Sequence, residues 1–285
     1  MRLFGCAASY RRRWRSGFYC GLVLLMLAWG LSSPVMAADG DWGHRLVQDA
    51  AIPQRLAPLP AFVERQVSAQ LAAFPTISPQ IAQLLGGALA QAYDPSILSA
   101  QVGRQLDQSM TGAALRRVDQ WYRSSLGRKV VRLEVAASDA ALKGGVPDPA
   151  GALVKRFRGS ARAELFQRYD QALKATQRIV DTSIDAQAAL AAVVPGQDAR
   201  QLRQRLILQR PALLAEVRQR VYEGYLYTYR DLTTAELRRY IGFLESADTR
   251  RYTGIVAKVA HDAVVAPIDG IGRQWQQLKG LQGLL

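Results

Sequence analysis

From residue 38 onward, apolar positions recur along this chain at helical spacing almost to its end. Leu237, Tyr240, Ile241 and Leu244 fall at i, i+3, i+4 and i+7, a single stripe along one helix face. The segment before it carries a facing stripe of Leu214, Val217, Val221, Tyr225 and Thr228. Between the stripes Ala, Leu, Gln and Arg dominate, all good helix formers. Alternating runs of Val, Ile and Thr, which would mark strands, are missing. The nearest candidate, "KVVRLEV" (Lys129 to Val135), alternates poorly and continues a helical segment. The pattern predicts an all-α protein, a helical bundle.

Proline and glycine punctuate it. "PQRLAPLP" (Pro53 to Pro60), "FPTISP" (Phe74 to Pro79) and "VPGQD" (Val194 to Asp198) break successive helices, and Pro211 opens or kinks another. "KGGVPDPAG" (Lys143 to Gly151) is the strongest linker signal. The expected organisation is a helical unit over 38–142, a Gly/Pro linker over 143–159, a second unit over 160–279 and an apolar tail, "GLQGLL", over 280–285.

The two units read as related copies in tandem. Aligning Thr111 with Thr233 places Leu115 on Leu237, Arg116-Arg117 on Arg238-Arg239 and Trp121 on Phe243. It also places Ser124 on Ser246, Arg128 on Arg250 and Lys129 on Arg251. In the second copy Thr233-x-x-Glu236 is a capping box. The hydroxyl accepts from the Glu236 N–H, and the carboxylate reaches back to the Thr233 N–H. Leu232 before the cap and Leu237 after it form the matching hydrophobic staple. Cap, staple and stripe leave only basic residues unexplained, so the repeated unit reads as a folding module. The tyrosines of "VYEGYLYTYRDL" are expected to bury their rings and keep their hydroxyls at the wet edge of the core.

"LTTAELRRYIGFLES" (Leu232 to Ser246) and "MTGAALRRVDQWYRSSLGRK" (Met110 to Lys129) resemble the signature of the 2059 family of domains of unknown function. The resemblance spans about 20 residues per copy, with a weaker likeness over the helices before it. Neither copy is complete. The first has Leu126 where that family has Pro and Ala114 in place of the cap glutamate, and the second has Leu244 for Tyr and Thr249 for Gly. The resemblance implies an exported, all-helical bacterial protein and carries no assigned activity.

Residues 1–37 read as a cleavable signal peptide. Arg2, Arg11, Arg12, Arg13 and Arg15 precede the apolar run Gly21 to Leu31, and "SSPVMA" supplies small residues for cleavage after Ala37 or Ala38. The run is short for a span, which needs roughly 20 apolar residues. Both cysteines, Cys6 and Cys20, lie in this leader, so the mature chain has no thiol chemistry. These features point to a bacterial periplasm or secretion.

The formal net charge of +14 includes those five leader arginines. Much of the remaining excess is Arg interleaved with acids, as on a solvated surface. It also fits an anionic partner: lipid, lipopolysaccharide or an envelope protein. Export excludes nucleic acid, although "RQLRQRLILQR" (Arg200 to Arg210) has the composition of a nucleic-acid helix. Arg128-Lys129 and Arg250-Arg251, each just after a helix break, are the candidate anion-binding pairs.

Catalytic signals are weak, and no cofactor is expected. Only His44 and His261 are present, with no Gly-x-Ser-x-Gly elbow, no zinc motif and no phosphate loop. His261 is expected near a helix end. Glu245-Ser246 matches the pair used by peptidoglycan-cutting transglycosylases, but it lies off the apolar stripe, where water would keep the carboxyl ionised. A non-enzymatic binding or scaffolding protein is therefore the leading reading, and a carboxylate-based envelope hydrolase the alternative.

Overall fold

The computed structural model describes residues 41–57, 59–71, 78–143, 149–193 and 198–282; the segment expected as a leader, 1–37, and the last three residues of the apolar tail lie outside them. Among the described residues the chain is helical with no strand, as its periodicity predicts. In the first half α1 (Trp42–Asp49) and the short α2 (Ile52–Leu56) lead into the paired α3 (Leu59–Leu71) and α4 (Pro79–Ala92). They are followed by α5 (Pro95–Ser109), α6 (Gly112–Arg123) and α7 (Ser125–Lys143). The second half comprises α8 (Pro149–Phe157), α9 (Ala161–Leu173), α10 (Ala175–Val193), α11 (Ala199–Leu208), α12 (Arg210–Thr228), α13 (Thr234–Leu244) and α14 (Ala247–Gln282).

Helix starts follow local chemistry. Asp94 accepts the Ser96 and Ile97 N–H groups at 2.7 and 3.2 Å with Pro95 opening α5, and Asp198 accepts from Gln201 at the start of α11. Each such cap contributes about 1 kcal/mol. Pro211 opens α12 rather than kinking it. α1 crosses α5 where two glycines meet. A Cβ on Gly43 would stand 2.3 Å from the Gly103 carbonyl, and the Gly43 N–H donates to Asp107 at 2.7 Å.

The segment expected as a linker over 143–159 is corrected by α8, which packs on α12 and buries Leu153. Pro149 opens α8. The two halves share one continuous core. α14 starts in the second half, packs along α10, and reaches α4, α5 and α6 of the first. There the Tyr93 hydroxyl donates to the Val264 carbonyl at 3.0 Å. No described helix is long and apolar enough to cross a membrane.

Candidate functional site

The motif Leu232 to Ser246 folds as its sequence predicts. Thr233 accepts the Glu236 N–H at 3.1 Å, and Glu236 accepts the Thr233 N–H at 2.7 Å. Leu232, Leu237, Tyr240, Ile241 and Leu244 are all buried. In the facing stripe Leu213 takes the buried position expected for Leu214, while Val217, Val221, Tyr225 and Thr228 are buried as expected. A buried guanidinium braces the entry. Arg162 donates to the Tyr229 carbonyl at 2.6 Å and to the Leu232 carbonyl, at the C-terminal end of α12, where the helix dipole favours a cation.

Beneath this motif lies a polar cluster. Glu134, 7% exposed on α7, accepts the Tyr229 and Tyr240 hydroxyls at 2.7 Å each on Oε1. Arg55 of α2 stands 3.2 Å from its Oε2. Burial first, and the Glu134 charge second, push both tyrosine hydroxyls well above the ordinary phenol range, so they stay protonated and donate. This corrects the expectation for the tyrosines: Tyr225 donates inward to the Arg162 carbonyl at 2.9 Å, and Tyr229 donates to Glu134. A buried carboxylate closed by two hydroxyls and a guanidinium is a structural anchor, with its acceptor capacity used internally.

The predicted anion-binding residues are not alike. The Lys129 ammonium sits 2.9 Å from both oxygens of Glu236, so the capping carboxylate of the second copy pairs with it. The Thr233 N–H first and Lys129 second hold the Glu236 carboxyl below its usual range. Arg128 donates to the Arg123 carbonyl and is exposed. Arg250 and Arg251 are exposed on the first turns of α14. Nearby, Arg117 pairs with Asp248 at 2.6 Å. Trp121 stacks on Phe243 with ring centroids 3.8 Å apart and planes 2° from parallel.

The remaining chemical candidates are committed internally. Arg168 grips Glu245 with Nε at 2.9 Å and Nη2 at 2.6 Å, holding its carboxyl below the usual range, the opposite of what a general acid needs. His261 lies within α14, not at a helix end, with Nδ1 2.7 Å from the Thr182 hydroxyl and Nε2 3.8 Å from Asp185. Among the described residues no cluster of His, Cys, Asp and Glu could hold a metal. An apolar cavity of about 40 Å³, lined by Leu56, Tyr93, Val102, Val259 and Val264 among others, has room for little more than a methyl group or a water and almost no polar surface to hold one.

Two buried charges were invisible in the sequence. Asp119 on α6 faces Asp49 at the end of α1; burial first, then Asp49, push its carboxyl up to about 6. Arg178 on α10 is 9% exposed, and neither its Nε nor its Nη1 has a hydrogen-bond partner. At the surface, the α11–α12 corner leaves Leu208 81% and Ile207 45% exposed. Comparison with family models, curated proteins and solved structures finds no match, so the likeness to the 2059 family rests on the quoted residues alone.

Proposed function

We propose that this chain is an exported, periplasmic helical protein that binds or scaffolds at an anionic component of the bacterial envelope, without catalysis. One observation carries the reading. The carboxylates nearest to chemistry, Glu134, Glu236 and Glu245, are closed in pairs with Arg55, Lys129 and Arg168. Meanwhile Arg200, Arg205, Arg218, Arg238, Arg239, Arg250 and Arg251 are exposed and, among the described residues, carry no ion pair. Charge segregated in this way favours an anionic surface outside the molecule.

We also propose that the two units arose by duplication. Thr111 and Thr233 cap α6 and α13 through the N–H three residues on, and Ser124 and Ser246 do the same for α7 and α14. Trp121 stacks on Phe243, its own counterpart in the alignment, as residues near a two-fold axis do.

The test uses the exported chain recovered from a producing bacterium, its new N-terminus sequenced to check cleavage after Ala37 or Ala38. It is expected to co-float with phosphatidylglycerol vesicles or sediment with lipopolysaccharide, and to release as salt rises. Failure to bind either would overturn this reading, and cleavage of purified peptidoglycan that stops with Glu245→Gln would replace it with the hydrolase.

A further inference from the structure

Resting on that reading, we infer that the corner between α11 and α12 is the surface that meets an anionic lipid bilayer. Ile207 and Leu208 enter the interface, and Arg200, Arg205 and Arg218 bear on lipid phosphates. Single exposed apolar side chains are ordinary. Among the residues whose side-chain exposure is described, however, only Ile97, Ile207 and Leu208 are large apolar side chains left exposed, and two of the three are neighbours here. Pro211, Ala212 and Ala215 are exposed beside them, so the corner is apolar across both helices. No acidic residue occurs between Ala199 and Ala215.

The bases sit behind this tip at graded depth. Arg205 precedes Leu208 by three residues and Arg200 precedes Ile207 by seven, so each shares a face with the apolar residue ahead of it. At 1.5 Å per residue they stand about 4 and about 10 Å back along α11. On α12, Pro211, Ala215 and Arg218 share the equivalent stripe. Apolar tips below guanidinium groups a few ångströms higher suit the boundary between acyl chains and headgroups, with the arginine stems spanning the depth between.

The corner is also held in place for this role. Leu206 and Leu213 are buried beneath it. Arg203 pairs with Asp185 and Arg210 with Asp181, each at 2.8 Å, so the acids of α10 are spent on anchoring and do not offset the outer arginines. Only α10 and α12 have substantial packing contacts with α11 among the described elements, which leaves its outer face open. A second copy of the chain would bring the same arginines together and repel; an anionic bilayer answers both the charge and the apolar tip.

The exported chain is titrated with vesicles of phosphatidylglycerol and phosphatidylcholine, and with phosphatidylcholine alone. Wild-type protein is expected to bind the anionic vesicles only. The double variant Ile207→Asp with Leu208→Asp should bind at least about tenfold more weakly, with an unchanged melting temperature. Arg200→Glu with Arg205→Glu should lose about tenfold as well and flatten the salt dependence. If the wild type binds but the aspartate variant binds equally, while Arg250→Glu with Arg251→Glu abolishes binding, this corner is not the surface although the proposed function stands. If the wild type binds no anionic vesicle, the corner proposal falls. Retained lipopolysaccharide binding would then spare the proposed function, and its loss would remove that too. A concentration-dependent dimer lost in the aspartate variant would assign the corner to a second copy and overturn the lipid. Should that variant melt early, a fluorophore on Leu208→Cys decides: a blue shift on anionic vesicles supports insertion, and an unchanged spectrum refutes it.

Discussion

At the α12–α13 corner Leu232 and Leu237 are buried, with Tyr240, Ile241 and Leu244 of α13 behind them, whereas at the α11–α12 corner Ile207 and Leu208 stand in solvent. Both are bends between helices joined by very few residues. The first has a staple, a capping box and a set of buried charges in which Glu134 meets Arg55. The second leans on α10, whose Asp181 and Asp185 hold it at the rim and whose Arg178 buries Nε and Nη1 without a hydrogen-bond partner. A corner whose apolar and polar groups are all answered internally is a folding device. One whose apolar groups are left out is available to a partner.

A third corner shows how finely the first is tuned. Thr111 caps α6 as Thr233 caps α13, but three residues on stands Ala114 where α13 has Glu236. Ala114 is buried in the core, where a carboxylate would lose its water, whereas Glu236 lies at the edge and finds Lys129. Gly127 closes the α6–α7 bend so tightly that a Cβ there would stand 2.0 Å from the Trp121 carbonyl.

The comparison breaks most sharply at Glu134. Glu134→Ala strands Arg55 and two tyrosine hydroxyls in the core, and should cost about 3–5 kcal/mol in urea unfolding. The unpaired charge should respond with the opposite sign: Arg178→Met is expected to raise stability by about 1–3 kcal/mol, because no partner is stranded. Thr233→Ala removes half of the capping box and should cost about 1 kcal/mol. With Glu236 depressed, its contribution is present in full above the ordinary glutamate range. It is lost as pH falls through the folded value, so Glu236→Gln should flatten the acid limb of a melting-temperature profile.

Asp119 runs the other way. Its folded value, near 6, lies above its unfolded one, so its stabilisation is complete in acid below the unfolded value and fades as pH rises through about 6. Asp119→Asn should remove that part of the profile, which falls between the unfolded value and about pH 6, while leaving the acid limb from Glu236 intact. The smallest effect on stability belongs to the open corner. Leu208→Asp should stay within about 0.5 kcal/mol of wild type.

What could be read from the sequence was local. Cap, staple and stripe join residues no more than four or five positions apart, and Thr233, Glu236, Leu232 and Leu237 take their expected places. What could not be read was distant. Tyr240 reaches Glu134 across 106 positions and Lys129 reaches Glu236 across 107, and no spacing rule links such pairs. For that reason Lys129 looked available for an anion and the tyrosine hydroxyls looked wet. The arginines of α11 were visible as a basic stretch, but periodicity gave no sign that Leu208 would lack a partner.

The most direct test of the outward-facing corner is a single label. Cys6 and Cys20, the chain's two cysteines, both precede the proposed cleavage site, so Leu208→Cys in the cleaved chain would carry one thiol for an environment-sensitive fluorophore. Phosphatidylglycerol vesicles should shift its emission to the blue, and salt should reverse the shift. Emission that stays that of a water-exposed probe while the labelled protein is bound to the vesicles would contradict the account.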